Sequence, residues 1–233
     1  MVAVWIALLL LVVTVAAADT FNLVRNLEYF TIPKDSPDIR SSVSDWMKIS
    51  WRELHSAIQH ENAIHGHKPF KVVYFLRHAQ GEHNAAELKY GKKAWDAKYS
   101  KILKYLDAPL TALGKANSKL VQAQMYSKEQ FPLDLVVVSP LQRAIRTALI
   151  VFNSTNSSRP TIAVETCRET LCVHTYYERH NVSYLSTTFP SVNFTSIAAG
   201  PDPLWTSTHR ETEAELQARA QVFLQDMYSN RTA

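Results

Sequence analysis

His78 follows a short apolar run, Val72-Val-Tyr-Phe-Leu76, with Arg77 directly before it and Gly81, Glu82, His83 and Asn84 shortly after. A neutral histidine presented at the end of a strand offers a ring nitrogen to a phosphoryl group as a nucleophile. An adjacent arginine brings a fixed fork of donors that suits phosphate oxygens. Gly81 lets the turn approach a ligand closely, and Asn84 supplies an amide donor. A second segment, Ser139-Pro-Leu-Gln-Arg143-Ala-Ile-Arg146-Thr147, puts a basic residue in the first turn of an expected helix. Free backbone N–H groups at such a helix start favour an anion. Arg77 and Arg143 together therefore describe a two-arginine site for a phosphate-like group.

Elements that could carry these residues are legible along the chain. Lys71 leads into the run at 72–76, which reads as a buried parallel strand. Residues 134–138 read as a second strand and 161–164 as a third, shorter one. Helices are expected from Ser44 to Ile58, from Ala112 to about Tyr126, from Pro140 to about Phe152, and from Thr212 onward. Thr111 is the expected cap of the second helix, whose inner face is read as Leu113, Ala116, Leu120 and Ala123. Ser139 is the expected cap of the third, with Pro140 at its first position. Thr212 and Glu215 form a capping box for the last, with Leu216, Ala220, Phe223 and Met227 facing inward. Residues 19–40 read as an arm. Strands alternating with helices predict an α/β domain with a mainly parallel central sheet flanked by helices, its ligand at the carboxyl ends of the strands.

In order and content these blocks resemble the histidine phosphatase superfamily, also called phosphoglycerate mutase-like. Its strand followed by Arg-His and then an Asn matches Arg77, His78 and Asn84. Its Pro-Leu-Thr-x-x-Gly block is similar to Pro109 through Gly114, and its Ser-Pro-Leu-x-Arg-Ala-x-x-Thr block to Ser139 through Thr147. The resemblance implies that His78 is a nucleophile forming a phosphohistidine, with Arg77, Arg143 and Asn84 holding the phosphoryl group. It implies a carboxylate proton donor after the third strand, for which Glu169 fits best and Glu165 is the fallback. No metal or other cofactor is implied. The substrate is expected to be a small phosphate ester, with specificity set by the segments 85–106 and 173–208. Ala79 stands where the family more often has Gly, and Cys172 where relatives usually have Gly. His174 resembles a subgroup of small-ester phosphatases and putative mutases, supported by Asp202 through Trp205 and by Arg210 and Glu211. His83 is read equally as a pocket-rim residue and as an exposed turn residue.

The family also carries a second catalytic histidine after its last core strand, following a helix that corresponds to the one beginning at Thr212. No histidine after Glu169, namely His174, His180 or His209, follows a β-type run. The chain is therefore expected to be C-terminally truncated relative to the family, with the final core strand missing. A phosphatase is the primary expectation. The alternatives are mutase-type phosphoryl transfer and a weak or inactive family member.

The 233 residues are 46% hydrophobic and 20% charged, with few Gly and Pro, which excludes a disordered, collagenous or disulfide-rich miniprotein chain. Met1 to Ala18 reads as a secretory signal, leaving 19–233 as the domain; the rival is an uncleaved anchor. Sequons at Asn153, Asn156, Asn181, Asn193 and Asn230 agree with a secreted glycoprotein. No stable membrane insertion is expected after signal cleavage. Cys167 and Cys172 read as two packed thiols. His55, His60, His65 and His67 match no zinc spacing and read as helix and loop residues. A net charge of +4 permits an anionic ligand without demanding nucleic acid, which is not an expected partner. Oligomeric state has no signal in the sequence.

Overall fold

The computed structural model describes residues 8–15, 21–24, 50–64, 71–126, 133–152 and 159–229. They fall into two compact units, 1–77 with 121–132, and 78–120 with 133–233. In the first, β1 (Leu8–Val15) pairs antiparallel with β2 (Phe21–Val24) on one side and with β3 (Lys71–Leu76) on the other. The β1–β3 register sets Leu8 opposite Leu76 and Val13 opposite Lys71. The strand expected to be buried and parallel is thus half-buried with an antiparallel neighbour. An unbroken apolar run identifies a strand but not the direction of its partner.

Helix α1 (Trp51–Ile64) starts later than expected, and residues 44–49 lie outside the described residues. Its start is fixed by a capping box: Ser50 N–H donates to Glu53 Oε2 (2.7 Å) and Glu53 N–H to Ser50 Oγ (3.2 Å). Trp51 and Leu54 are buried, and Trp51 meets Tyr74 edge-on at 5.6 Å. His55 and His60 are exposed, while His65 and His67 lie outside the described residues.

The second unit is α/β with a parallel sheet flanked by helices. Strands β4 (Val136–Val138) and β5 (Thr161–Ala163) pair in parallel, Val136 against Thr161, and Asn193 extends the pairing through a parallel bridge to Ile162. Helix α5 (Gln142–Val151) follows β4 and buries Ile145, Leu149 and Val151. It begins two residues after Pro140, because Asp107 Oδ1 takes the Gln142 N–H at 2.9 Å, and Ser139 Oγ is left with a 3.4 Å bond from Leu141 N–H. The side-chain cap is therefore Asp107 rather than Ser139.

Helices α2 (Glu82–Tyr90) and α3 (Lys92–Ala97) meet at Gly91, whose φ of 77° is in the left-handed region that favours glycine. Their inner side packs Ala86 and Trp95 with Tyr105, Ala108 and Tyr176. Helix α4 (Ala112–Met125) is capped by Thr111 as expected, with Gly114 N–H donating to Thr111 Oγ1 at 2.9 Å. Its apolar stripe, however, faces outward: Leu113 is 53% and Leu120 62% exposed. The buried side carries Gly114, Ser118 and Met125, because α4 lies so close to the loop after His78 that a Cβ at Gly114 would collide with the Gln80 carbonyl.

Helix α6 (Val182–Thr188) is capped by Asn181, and α7 (Glu213–Ser229) by the expected Thr212–Glu215 box. Leu216, Phe223 and Met227 of α7 are half-buried and Ala220 is exposed. Cys167 and Cys172 are both free thiols. Asn181 and Asn193 are exposed; Asn153, Asn156 and Asn230 lie outside the described residues. No helix among the described residues is long and apolar enough to cross a membrane.

Candidate active site

His78 sits at the start of an irregular loop whose shape is set from α5. The Ala79 N–H donates to Thr147 Oγ1 (3.1 Å), and that hydroxyl donates to the Arg143 carbonyl one turn earlier (2.8 Å). The next residues are held by the Pro109–Thr111 segment: Glu82 N–H donates to the Pro109 carbonyl (2.8 Å) and Thr111 N–H to the Gln80 carbonyl (3.0 Å). At Gly81 a Cβ would stand 2.6 Å from His83 Nδ1, so a larger residue there would have to push the His83 ring aside. Asn84 Oδ1 accepts the Gly81 N–H at 2.9 Å, which leaves the amide nitrogen as its donor end.

The imidazole of His78 has an assigned orientation. Its Nδ1 lies 2.7 Å from the Ala79 carbonyl and donates to it, which fixes the ring with Nε2 on the side of Glu169. Nε2 is buried without a hydrogen-bond partner among the described residues. It lies 3.8 Å from Glu169 Oε2. The other oxygen of that carboxylate is paired with Arg143 Nη2. Arg143 is fully buried, donates through Nη1 to the Tyr176 carbonyl (2.7 Å), and lies over the Tyr176 ring. The imidazole and the guanidinium thus converge on one half-buried carboxylate. Burial by itself would raise the Glu169 carboxyl, but Arg143 and His78 overrule it and hold the group well below the usual carboxylate range.

Glu165, the fallback proton donor, faces elsewhere. Its Oε1 accepts from Arg179 Nε (2.7 Å) and its Oε2 from Arg168 Nη1 (3.3 Å). Asp202, almost fully buried, completes this network by pairing with Arg168 at 2.8 Å. His83 is buried rather than exposed, stacked on Tyr176 at 4.4 Å and 5.7 Å from the His78 ring. His174, also buried, meets the Tyr176 hydroxyl through Nδ1 at 3.1 Å. Of the residues named from the sequence, His78, Arg143 and Glu169 meet, Asn84 closes the turn, and Arg77 stands exposed at the end of β3 in the other unit.

Three contributors carried no signal that would have marked them. Thr147 belonged to the third block without a role. Tyr176 was one tyrosine among several in a segment read as an insertion. Asp107 precedes the Pro-Leu-Thr block, yet its Oδ1 caps α5 and its Oδ2 accepts the His180 N–H at 3.2 Å. It is fully buried, and burial pushes its carboxyl up to about 6 against the pull of Arg143. Among the described residues, no group of three or more His, Cys, Asp or Glu side chains is placed to hold a metal ion.

Comparison with known proteins places this geometry in context. The family model of the histidine phosphatase superfamily (branch 1) matches residues 73–232. The chain is 33% identical over 198 residues to a probable phosphoglycerate mutase of Arthroderma benhamiae, covering 78% of this chain and 58% of the relative. It is 34% identical over 188 residues to phosphoglycerate mutase-like protein 1 of Arabidopsis thaliana, covering 69% and 64%. A probable phosphoglycerate mutase of Saccharomyces cerevisiae is 29% identical over 198 residues. The chain therefore spans about three fifths of the length of the first two relatives. No solved structure matches.

Proposed function

Because this chain belongs to the histidine phosphatase superfamily, branch 1, we propose that it hydrolyses phosphate monoesters through a phosphohistidine at His78. The observation that carries the reading is the convergence of His78 Nε2 and Arg143 on a single carboxylate, an anion held where a phosphoryl group would need the same two partners. In the first half-reaction Nε2 attacks phosphorus while the bond to the ester oxygen breaks and Glu169 gives that oxygen a proton. In the second, Glu169 takes a proton from water, the water oxygen attacks phosphorus, and the P–N bond breaks to release orthophosphate. Arg143 neutralises the phosphoryl oxygens in both steps.

Glu169, held below the usual carboxylate range by Arg143 and His78, must be protonated to serve the leaving group, so the incoming phosphoryl group displaces its carboxylate from Arg143 and raises its proton affinity. The leader-like Met1–Ala18 supports a secreted enzyme, for which water is the ready acceptor. The names of the relatives favour a second reading, in which an alcohol takes the phosphoryl group from His78 instead of water. Turnover in ¹⁸O-labelled water with an acceptor alcohol present separates the two. Hydrolysis puts one label into each released phosphate, whereas unlabelled phosphoryl groups on the added alcohol overturn the hydrolytic reading.

A further inference from the structure

The segment from Arg168 to His174 forms neither helix nor strand, so its carbonyls need partners from elsewhere. Arg219, in the middle of α7, supplies them. Its Nη1 donates to the carbonyls of Thr166 (3.1 Å) and Arg168 (2.6 Å), and its Nη2 to the carbonyl of Glu169 itself (3.3 Å). The guanidinium is aimed by Glu211, which takes Nε at 2.7 Å and Nη2 at 2.6 Å as a two-point pair. Glu211 is bound to the same segment, accepting the Leu171 N–H through its carboxylate and donating its own N–H to the Leu171 carbonyl, both at 2.9 Å. From the opposite side, the Arg168 side chain is locked to Asp202. The backbone that carries Glu169 is thus held by Arg219 and Glu211 of one segment and, through Arg168, by Asp202 of another.

We propose that Arg219, aimed by Glu211, is a positioning residue for proton donation by Glu169. This rests on the reading of His78 as nucleophile and Glu169 as acid. A general acid acts only within hydrogen-bond reach of the leaving oxygen, and small displacements of a catalytic group are costly. A forked guanidinium spans three carbonyls and a carboxylate at once, which an ammonium cannot do. The consequence is selective by leaving group: an alkoxide needs the proton, whereas 4-nitrophenolate departs without it.

The test compares kcat and KM of the full chain and of Arg219→Lys, Glu211→Gln and Glu169→Gln on 4-nitrophenyl phosphate and on an alkyl ester such as glycerol phosphate. Arg219→Lys and Glu211→Gln are expected to lower kcat/KM on the alkyl ester about 10-fold and to leave kcat/KM on the aryl ester within about 2-fold, the same split as Glu169→Gln in milder form, because kcat/KM reports the half-reaction in which the leaving group departs and not the later attack of water. Equal losses on both esters, the mark of a purely structural role, overturn the inference, as does full activity on the alkyl ester. A wild-type chain that turns over neither ester overturns the reading of His78, and this inference with it.

Discussion

The proposed mechanism puts the phosphoryl group where the carboxylate of Glu169 now meets Arg143 and His78, and this has a measurable consequence. Arg143 and His78 hold Glu169 below the usual carboxylate range, so an oxyanion that displaces it leaves a group that gains a proton. Binding of orthophosphate near pH 7 is expected to draw in more protons for the wild type than for Glu169→Gln, by calorimetry in buffers of different ionisation enthalpy. Glu169→Gln removes the internal competitor and is expected to bind phosphate about 10-fold more tightly, from the strength of a charged hydrogen bond. Equal proton uptake in the two proteins would contradict the displacement. Asp107 shifts the opposite way. Its folded value of about 6 lies above the unfolded value of about 3.9, so the folded state holds the extra proton between them. Its contribution to stability is therefore present below about pH 4 and is lost as pH climbs through about 6. Thermal unfolding across that window should show the decline in wild type and lack it in Asp107→Asn.

At the scale of elements, α4 shows why close approach can override apolar pattern. Gly114 meets the Gln80 carbonyl, and Ser118 Oγ turns back onto the Gly114 carbonyl at 2.9 Å. Gly114→Ala is expected to cost about 2 kcal/mol in denaturant unfolding, the scale of an overpacked contact, and to lower activity through the loop that follows His78. Unchanged stability would mean that α4 can move away. The same helix marks the boundary of what was legible. His78 and Arg143 each sit in a local motif with a fixed order, and Glu169 is singled out only by its place after the third strand; the structure brings the three side chains together. The inner face of α4 could not be named, because Leu113 and Leu120 obey helical spacing whichever side the chain buries. Asp107, Glu211 and Arg219 act on partners 35, 40 and about 50 residues away, and local spacing carries no record of such contacts. The partner of β3 was hidden for a related reason: an apolar run does not encode the direction of its neighbour.

For the whole molecule, β1 lies within the segment read as a leader, so cleavage after Ala18 would leave β3 without the antiparallel neighbour it has when residues 8–15 are present. If the chain is exported as proposed, N-terminal sequencing of protein from a secretory host should begin at Asp19, and endoglycosidase should shift its mobility through exposed sites such as Asn181 and Asn193. An intact Met1 and an unshifted band would contradict export without touching the chemistry. The proposed chemistry draws on the second compact unit, where His78, Arg143 and Glu169 come together. The most direct measurement is rapid quenching of the full chain with a ³²P-labelled phosphate ester, followed by peptide mapping. An acid-labile, base-stable label on the peptide that contains His78, absent in His78→Ala together with turnover, is the expected result. Turnover without that label, or full turnover by His78→Ala, would contradict it.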